Sequence, residues 1–569
     1  MCFCTCSEPR HSPNVWRVTA SASVDGYQIP WTSFAEFFLD RADDTCCFLI
    51  ELDHAIDTRR EWSVAEWRDH VLRTAAWLQD AGVGPGDAVS TLLGNTADAL
   101  AVAYGSWVLG ACCVPLNPAD SAERHAYILE DSGSSLFVQG DEMMPHLPTR
   151  TGLNGVRMVY ASALPGHDGE QASTSDETSG FSLPEADIGA PALRIYTSGT
   201  TGLPKGVVLT AANLLTDCDA LHQGLAWPDD TRILTVLPIH HVNGLVISSL
   251  LPWFDRYTTV LCDRFRSDRF WSDVTEEQAT VCSVVPSLLE FLLSTPGEAA
   301  NGFREVLCGA GPLLTDTALE FEQRFQVPIR HLYGLSETTA VVTLMPAMDR
   351  DARRRWHRSY GSPSIGPALP HAHVTVHDSA GNEAEQGLRG EIVVRGAMVM
   401  SGYIGMATVT TDAFRDGWFH TGDEGFWIAD ESGDPYMFIT GRMKELIIRG
   451  GANVSPLEID VVLRSHPAVD FGLAISFENR YYGEEIAAYV VTNKPVTNEE
   501  LLAHCARYLD YARQPKVIVQ GDEVPFTATG KAKRLELRSR LAPLLAPYRD
   551  RQFRRSTPCS NYPAHHPSS

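Results

Sequence analysis

Segments typical of buried strands alternate with segments typical of amphipathic helices over about residues 62–370. Helical periodicity begins at the capping-box pattern of Ser63 and Glu66, in which both side chains satisfy backbone N–H groups of a first helical turn. Glycines within 82–86 predict the end of that helix, and the apolar run 88–93 predicts a buried strand. The alternation predicts an α/β fold class with mostly parallel sheets.

The pattern changes after about residue 370. Short alternating segments over 374–439 predict a small antiparallel subdomain, and a separate α+β piece is predicted over about 445–548. Residues 1–30 are predicted to be poorly structured, and the chain from Ser556 onward is a polar tail. The length of 569 residues suits several domains with a sizeable core.

Composition excludes some classes of function. The formal net charge is -25, which argues against a general affinity for nucleic acid or for anionic lipid. No run approaches the roughly 20 apolar residues that cross a bilayer. The N-terminus also lacks the basic and apolar regions of a secretory signal. We therefore expect a cytoplasmic protein with no integral membrane segment.

The cysteines are scattered along the chain, and several lie in apolar runs, as Cys46 and Cys262 do. This distribution suits reduced, buried thiols better than a disulfide framework. The N-terminal Cys2, Cys4 and Cys6 lack Cys-x-x-Cys spacing and a second ligand pair, so a frayed tail is favoured over a metal site. The role of these three residues stays open.

One loop concentrates hydroxyls and glycines between two apolar strands. Glycine lets backbone N–H groups approach phosphate oxygens closely, hydroxyls add donors, and a lysine adds positive charge. The segment is not a P-loop of the Gly-x-x-x-x-Gly-Lys-Ser/Thr type. A plain linker is disfavoured because apolar strands frame the loop on both sides. The predicted polyphosphate-binding residues are Thr197, Ser198, Gly199, Thr200, Thr201, Gly202 and Lys205.

Further motifs follow this loop in order along the chain. They are LPIHHVNG at 237–244, LCGAGPL at 307–313, LYGLSETT at 332–339, WFHTGD at 418–423, ITGRMKE at 439–445 and PFTATGK at 525–531. Each motif alone is suggestive, but together and in this order they are strongly specific. Over about residues 35–540 the chain resembles the adenylate-forming superfamily, which includes acyl- and aryl-CoA synthetases, peptide-synthetase adenylation domains and firefly luciferase.

The resemblance implies a large N-terminal domain, with two α/β sheets and a small distorted β-barrel, and a small mobile α+β C-terminal domain. In this sequence it implies an N-terminal AMP-binding (adenylation) domain at 31–441 after the poorly ordered segment 1–30. A hinge at 442–446, a mobile domain at 447–548 and a polar tail at 549–569 follow.

The resemblance also assigns a nucleotide site. Its implied residues are Gly309, Ala310, Gly311 and Gly334 lining the adenine, Tyr333 stacking on it, Glu337 and Thr200 holding Mg²⁺, Thr338 at the α-phosphate, and Asp423 with Arg442 at the ribose. Each assignment suits its chemistry. A hard cation that bridges phosphates needs oxygen ligands, a flat aromatic face can stack on a base, and a carboxylate can accept hydrogen bonds from two hydroxyls.

An acyl pocket is implied next to the nucleotide. Its residues are His241, Asn243, Gly244, Val285, Gly309, Gly334 and Ala340, a mixture of small, apolar and weakly polar groups. For His241 a positioning role is favoured over an acid or base role. Members of the family that activate amino acids usually carry an aspartate near this motif, and residues 238–244 contain none. An aryl or short-to-medium aliphatic acid is therefore favoured over an α-amino acid.

The resemblance assigns the C-terminal motifs to two half-reactions. Lys531 matches the lysine that bridges the carboxylate and the α-phosphate during adenylation, where it offsets the repulsion between two anions. Lys444 falls at the hinge. Gly450 and Gly451 form the turn that enters the site when a pantetheine thiol reacts, although a simple hairpin turn would have the same sequence.

These motifs predict an ATP-dependent carboxylic acid:CoA ligase that uses ATP, Mg²⁺ and CoA and alternates between two domain arrangements. One alternative is a stand-alone adenylation enzyme that loads a separate acyl carrier protein through its phosphopantetheine. Another is a ligase for an amine acceptor or for an unusual acid such as nitrite. A non-catalytic nucleotide-binding protein is the least favoured, because both Lys531 and Glu337 are present.

Overall fold

The computed structural model describes residues 22–24, 27–141, 156–165, 181–197, 203–360, 363–526 and 532–553. Some residues with predicted roles lie outside these ranges, namely Ser198, Gly199, Thr200, Thr201, Gly202 and Lys531, together with Cys2, Cys4 and Cys6. What was inferred for them from the sequence stays a prediction.

The strands of the described residues are Ala22–Val24 (β1), Tyr27–Ile29 (β2), Cys47–Asp53 (β3), Thr58–Ser63 (β4), Ala88–Leu92 (β5), Cys112–Pro115 (β6), Ser134–Gln139 (β7), Arg157–Tyr160 (β8), Pro191–Thr197 (β9), Lys205–Thr210 (β10), Arg232–Thr235 (β11), Thr258–Cys262 (β12), Val281–Val284 (β13), Glu305–Cys308 (β14), Ile329–Tyr333 (β15), Thr343–Leu344 (β16), Ala372–His377 (β17), Gly390–Gly396 (β18), Gly402–Tyr403 (β19), Phe414–Arg415 (β20), Trp418–Ala429 (β21), Pro435–Arg442 (β22), Ile447–Arg449 (β23), Ala452–Val454 (β24), Val469–Asn479 (β25), Gly483–Thr492 (β26) and Val517–Gln520 (β27).

The α-helices of the same ranges are Phe34–Leu39 (α1), Val64–Asp80 (α2), Ala97–Val108 (α3), Ala122–Asp131 (α4), Ala211–Leu225 (α5), Leu251–Asp255 (α6), Phe270–Glu276 (α7), Pro286–Ser294 (α8), Thr315–Phe325 (α9), Arg350–Ser359 (α10), Ala407–Ala413 (α11), Pro456–Arg464 (α12), Asn498–Tyr508 (α13) and Arg534–Leu545 (α14). Short 3₁₀ turns and one π-helix, Asn243–Leu250, complete the helical structure.

Two large sheets confirm the predicted α/β fold class. A seven-stranded sheet has the order β19-β10-β9-β6-β5-β7-β8, and its strands from β9 to β8 are parallel. An eight-stranded sheet has the order β16-β15-β14-β13-β11-β12-β3-β4, and its inner strands from β15 to β3 are parallel. Antiparallel pairing is confined to the ends of the two sheets, where β10 pairs with β9 and β19, β16 pairs with β15, and β4 pairs with β3.

The two smaller sheets follow in chain order. A five-stranded antiparallel sheet contains β17, β18, β21, β20 and β22, as the alternating pattern over 374–439 predicts. A second five-stranded sheet, with β27 parallel to β26, is accompanied by α12, α13 and α14 and forms the α+β piece.

Local sequence signals explain where α2 and β5 lie. The Ser63 Oγ accepts a hydrogen bond from the Glu66 N–H at 3.2 Å, and a Glu66 carboxylate oxygen accepts one from the Ser63 N–H at 2.8 Å, which confirms the capping box. Every residue of β5 is buried. The largest apolar core combines both large sheets with α3, which is buried from Leu100 to Val108.

Part of the N-terminal segment differs from the prediction of a poorly structured region. Strands β1 and β2 form an antiparallel hairpin in which Ala22 pairs with Ile29. The side chain of Ile29 is fully buried in the largest apolar core, so hydrophobic burial anchors this hairpin.

Among the described residues, the cysteines follow the prediction with one exception. Free thiols occur at Cys47, Cys112, Cys113, Cys218, Cys262, Cys282, Cys308 and Cys505. Cys46 is disulfide-bonded, so the prediction of a reduced thiol there is wrong. Cys46 is half-buried just before β3, where a second sulfur can reach it more easily than in the core. None of the helices in the described ranges has the length and apolar character required of a membrane span.

The described residues divide into two compact units, one up to Ile439 and one from Thr440 onward. The division falls close to the predicted hinge at 442–446. The domain boundaries inferred from the sequence remain predictions.

Asp217, on α5, is a fully buried carboxyl that supports the turn after β15. One of its oxygens accepts a hydrogen bond from the Val341 N–H at 3.1 Å, and the other has no hydrogen-bond partner among the described residues. Burial raises the pKa of Asp217 to about 8. The backbone N–H groups of Val341 and Ala340 have the opposite, smaller effect on this pKa, because they stabilise the carboxylate.

We expect Asp217 to make the stability depend on pH. Its pKa in the folded protein lies above the value of about 3.9 in an unfolded chain, so the folded state binds the proton more tightly. Its contribution is complete below about pH 4 and is lost as the pH rises towards 8. Relative to Asp217→Asn, the wild-type free energy of unfolding should fall by up to about 1.4 kcal/mol per pH unit in this window. Urea unfolding of both proteins at several pH values measures this free energy. A difference between them that does not change with pH would contradict a raised pKa of Asp217.

Candidate active site

Four adjacent parallel strands of the eight-stranded sheet lead into predicted site residues. Val285, Gly309 and Gly334 directly follow β13, β14 and β15, and the segment 237–244 follows β11. Because these strands are parallel neighbours, their carboxyl ends lie at one edge of the sheet. Ligands of open α/β sheets bind outside this edge. The structure therefore brings together the residues that the sequence predicts for the adenine and the acyl group.

Close backbone packing explains the glycine at position 334. A Cβ atom built on Gly334 would lie 2.0 Å from the Ala340 carbonyl oxygen, which no side chain tolerates. The turn from β15 thus folds back on the segment that begins with Ala340, and both Ala340 and Val285 are buried. Nearby, Ala310 adopts a left-handed conformation with a φ of 61° between Gly309 and Gly311.

Tyr333 and Asp423 meet across the two sheets that carry them. The Tyr333 hydroxyl donates a hydrogen bond to an Asp423 carboxylate oxygen at 2.8 Å, and both residues are buried. The predicted stacking ring and the predicted ribose carboxylate are therefore neighbours, although 90 positions separate them. Arg442, the predicted companion of Asp423, belongs to the second unit, and its role stays a prediction.

Tyr403 joins the phosphate-loop hairpin to Glu337, and the sequence reasoning missed it. Thr197 and Lys205 are paired at the loop end of the β9–β10 hairpin. The Lys205 Nζ lies 4.8 Å from the centre of the Tyr403 ring, and the Tyr403 hydroxyl donates to a Glu337 carboxylate oxygen at 3.0 Å. A single tyrosine in the two-residue strand β19 has no periodic signal that would reveal this role.

Glu337 lies on a short 3₁₀ turn, Ser336–Thr338, that is stabilised from within. The Thr338 side chain is fully buried, and its hydroxyl accepts a hydrogen bond from the Leu335 N–H and donates one to the Leu335 carbonyl. In this structure Thr338 therefore stabilises the turn, and its contact with an α-phosphate stays a prediction. Among the described residues the half-buried Ser336 hydroxyl has no hydrogen-bond partner. Ser336 is therefore, besides Thr338, a second candidate for contact with the α-phosphate, and the sequence analysis did not identify it.

The next residue, Thr339, has a strained backbone. Its φ of 65° and ψ of -77° are rare for a β-branched residue. The Thr339 hydroxyl donates to the Met398 carbonyl at 2.7 Å, which holds this conformation. Strain beside Glu337 suits a position that is set for ligand binding.

Asn95 holds the segment that carries His241, and it too was missed. The Asn95 amide donates to the Leu237 carbonyl at 3.0 Å, and its oxygen accepts from the Ile239 N–H at 3.0 Å. The rings of His240 and His241 follow, with their centres 4.4 Å apart. Burial, and then the neighbouring His241, hold the pKa of His240 well below its usual value, so the His240 ring is neutral at physiological pH.

Asn243 opens the π-helix, a feature frequent at functional sites. Its side-chain oxygen is buried and, among the described residues, has no hydrogen-bond partner. Gly244 follows it and is buried against the Pro238 carbonyl. The segment thus presents buried polar atoms, among them the Asn243 side-chain oxygen and the His240 Nε2, that have no hydrogen-bond partner among the described residues.

Residues of the second unit form a separate glycine turn. Gly450 and Gly451 have φ values of 59° and 86° and connect β23 to β24 as a two-residue hairpin. The side chain of Arg449 anchors the turn through two hydrogen bonds, of 2.6 and 3.0 Å, to the buried Glu485. Lys444 lies exposed in the 3₁₀ turn Met443–Glu445.

The end of the second unit is also firmly held. Phe526 and Ala532 pair as an antiparallel bridge on either side of the segment that contains Lys531. Arg534, at the start of α14, is buried and binds Asp460 at 2.6 Å and Glu445 at 3.2 Å. Arg534 therefore fixes the start of α14 against α12.

Comparison with known proteins agrees with this geometry. The model of the AMP-binding enzyme family matches residues 41–404. The model of the AMP-binding enzyme C-terminal domain matches residues 458–531.

Several relatives have known names. The chain is 35% identical over 468 residues to the sulfoacetate–CoA ligase of Cupriavidus necator. This alignment covers 80% of this chain and 88% of that protein. It is 30% identical over 484 residues to the oxalate–CoA ligase of Arabidopsis thaliana, covering 83% of this chain and 91% of that protein.

Solved structures extend the similarity. ATP-bound MatB from Rhodopseudomonas palustris matches with a TM-score of 0.77 and 27% identity over 90% of this chain and 99% of that chain. The o-succinylbenzoate CoA synthetase of Bacillus subtilis with its acyl-adenylate matches with a TM-score of 0.77 and 26% identity over 89% of this chain and 98% of that chain. The chain belongs to the AMP-binding enzyme family and is an AMP-forming acid–thiol ligase.

Proposed function

We propose that this chain is an ATP-dependent carboxylic acid:CoA ligase whose substrate is a small acid. The observation that carries the proposal is the connection from Lys205 through Tyr403 to Glu337. It joins a cation at the predicted phosphate loop to a carboxylate suited to a metal. That combination is needed to hold a triphosphate beside a reacting carboxylate.

In the first half-reaction the acid carboxylate attacks the α-phosphate of ATP, and pyrophosphate leaves towards the loop that ends at Lys205. In this proposal the positive charge of Lys531 offsets the repulsion between the two anions. Asp423 accepts hydrogen bonds from the ribose, and Tyr333 stacks on the adenine. An acyl-adenylate remains bound, and exclusion of water protects it from hydrolysis.

Glu337 suits Mg²⁺ as a ligand. One of its oxygens accepts the Tyr403 hydrogen bond, and the other has no partner among the residues that the structure describes. A free carboxylate oxygen is the ligand type that Mg²⁺ prefers. Bound there, together with Thr200, the ion would neutralise charge on the phosphates.

In the second half-reaction the C-terminal unit rotates about Lys444. This motion removes Lys531 and brings the Gly450–Gly451 turn to the adenylate. The CoA thiol then attacks the mixed anhydride and releases AMP. The exposed Lys444 and the nearby division between the units support a hinge at this position.

The acid is aryl or short-to-medium aliphatic. The small residues and buried apolar side chains around Gly334 support this size, and the absence of an acidic group from 238–244 disfavours an α-amino acid. Relatives named for sulfoacetate and oxalate act on acids in the same size range. A separate carrier protein in place of CoA is the second candidate, and a cytoplasmic location stays a prediction.

Two assays test the proposal. Pyrophosphate exchange into ATP should appear with at least one acid of a panel that contains aryl, short aliphatic and amino acids. Added CoA should then give a thioester, detected by its mass. Exchange without a CoA thioester would favour a carrier protein or an amine acceptor, and no exchange with any acid would contradict an enzyme of this type.

Two substitutions should separate the half-reactions. We expect Lys531→Ala to abolish adenylate formation and to leave thioester formation from a supplied acyl-adenylate largely intact. Gly450→Leu should do the reverse, because a side chain at the turn blocks pantetheine. Gly433→Leu is a matched control, since Gly433 also has a positive φ, of 91°, in an exposed turn. Equal damage to both half-reactions in both variants would rule out domain alternation.

Tyr403→Phe should weaken the metal site and keep the phosphate-loop lysine in place. The phenylalanine ring still attracts the Lys205 ammonium, but the hydrogen bond to Glu337 is lost. A hydrogen bond to a charged group contributes about 1.5–3 kcal/mol. Because Glu337 is only half-buried, we expect a smaller effect, a rise of about threefold to tenfold in the Mg²⁺ concentration for half-maximal activity.

Tyr403→Leu is the matched control, because it removes the ring as well. It should also raise the KM for ATP. Steady-state kinetics at varied Mg²⁺ and ATP measure both effects. An unchanged Mg²⁺ dependence of the activity in Tyr403→Phe would show that Tyr403 does not contribute to the metal site.

A further inference from the structure

A second cluster of metal-ligating side chains lies at the other end of the eight-stranded sheet. It consists of His54, Cys262 and Asp273. His54 follows β3, Cys262 ends β12, and Asp273 lies in α7. The two strands are parallel neighbours in which Cys262 pairs with Leu52, so their carboxyl ends place the histidine and the cysteine side by side.

The geometry of the cluster is close to that of a metal site. The His54 Nε2 and an Asp273 carboxylate oxygen are 3.0 Å apart, and both atoms and the Cys262 Sγ lie within 4.8 Å of one another. Zinc bonds of about 2.0–2.3 Å in a tetrahedron place neighbouring ligand atoms about 3.3–3.8 Å apart. Side-chain shifts of about 1 Å would therefore complete the coordination.

Burial distinguishes this cluster from an ordinary surface group. The side chains of His54 and Asp273 are 12% and 6% exposed, and Cys262 is 1% exposed. Among the described residues the Cys262 thiol has no hydrogen-bond partner, whereas the thiol of Cys282, two strands away, donates to the Ser283 carbonyl. The cluster thus contains a buried sulfur next to an imidazole and a carboxylate, with no local partner of its own.

The simpler interpretation is an ion pair beside an unrelated cysteine. Asp273 also approaches Arg269 at 3.4 Å, but through its other carboxylate oxygen, so Arg269 does not compete for the oxygen that pairs with His54. The two interpretations differ in what the thiol does. If His54 and Asp273 form only an ion pair, the Cys262 thiol has no role, whereas in a metal site the thiol is a ligand.

We propose that His54, Cys262 and Asp273 bind a zinc ion. A thiolate, an imidazole and a carboxylate form a mixed ligand set that suits Zn²⁺ better than Mg²⁺ or Ca²⁺, which prefer oxygen ligands alone. On binding, the Cys262 thiol loses its proton to solvent, and a water molecule or a further group takes the fourth position. This site is separate from the proposed Mg²⁺ site at Glu337.

The zinc site would stabilise the wall of the acyl pocket. The Asn95 side-chain amide donates to the carbonyl of Cys262 at 3.2 Å and to the carbonyl of Leu237 at 3.0 Å. The same side chain accepts from Ile239, in the segment that leads to His241. A metal that fixes Cys262 would therefore also fix this segment through Asn95.

Metal analysis of the full-length protein tests the proposal. After removal of bound metals by a chelator and addition of zinc, we expect one zinc per chain and a higher Tm. Addition of cobalt should give a thiolate-to-cobalt charge-transfer band in the near ultraviolet. His54→Ala and Cys262→Ser should each lower zinc affinity by more than about a hundredfold, beyond the 10–100-fold typical of residues that only support a ligand.

Two controls make the result specific. Cys282→Ala removes another buried thiol from the same core and should keep both the zinc and the cobalt band. Replacement of Cys2, Cys4 and Cys6 by serine should also keep both, because these cysteines are a rival zinc source.

Loss of zinc in the triple serine variant would overturn the proposal. Unchanged zinc affinity in His54→Ala, or a cobalt complex without the charge-transfer band, would do so as well. Should Cys262→Ser fail to fold, His54→Ala tests the same site from its more exposed side. None of these readouts depends on ligase activity, so the result stands apart from the proposed function.

Discussion

Parallel pairing of β11, β13, β14 and β15 decides where the chemistry of this protein lies. Each strand leads to a segment with a predicted role, and parallel neighbours necessarily end on the same side. An antiparallel neighbour would send its following segment to the opposite edge. The segment 237–244, predicted for the acyl group, the segment 309–311, predicted for the adenine, and the turn at Gly334 therefore meet because of strand direction. Side-chain contacts then refine an arrangement that the backbone has already made.

Long-range hydrogen bonds complete the site from outside this sheet. Tyr333 at the end of β15 reaches Asp423 on the antiparallel sheet, and Tyr403 on the seven-stranded sheet reaches Glu337. Each bond joins a motif to a residue more than sixty positions away. Because tyrosine has a rigid ring and a polar end, one side chain can span the gap between two sheets and still satisfy a carboxylate. Three sheets of the first unit thus contribute residues to the proposed site.

Sequence patterns among neighbouring residues predicted the helices and strands well. They did not predict the contacts between elements that are distant in the chain. The capping box of Ser63 and Glu66 and the alternation of strands and helices depend on neighbouring residues, so they can be recognised in a single sequence. Asn95 and Tyr403 acquire their roles only when separate strands pair, and no periodicity marks them. Thr338 is instructive in a different way. Its predicted contact with the α-phosphate stays a prediction, and the structure adds that its hydroxyl bonds to the Leu335 backbone, which spacing cannot reveal.

Tyr403 also keeps the opposite charges of Lys205 and Glu337 from forming a direct ion pair. The ligand of this acidic chain is an anion, so a cation at the phosphate loop has to stay available. A direct ion pair between Lys205 and Glu337 would neutralise the lysine that we propose for the phosphates and occupy the carboxylate that we propose for the metal. Tyr403 lies between them instead, with its ring face towards the ammonium group and its hydroxyl towards the carboxylate. It orients both charged groups without cancelling either charge, and among the described residues no ion pair joins the two. A neutral aromatic residue can therefore keep opposite charges close together and ready for a ligand that binds to both.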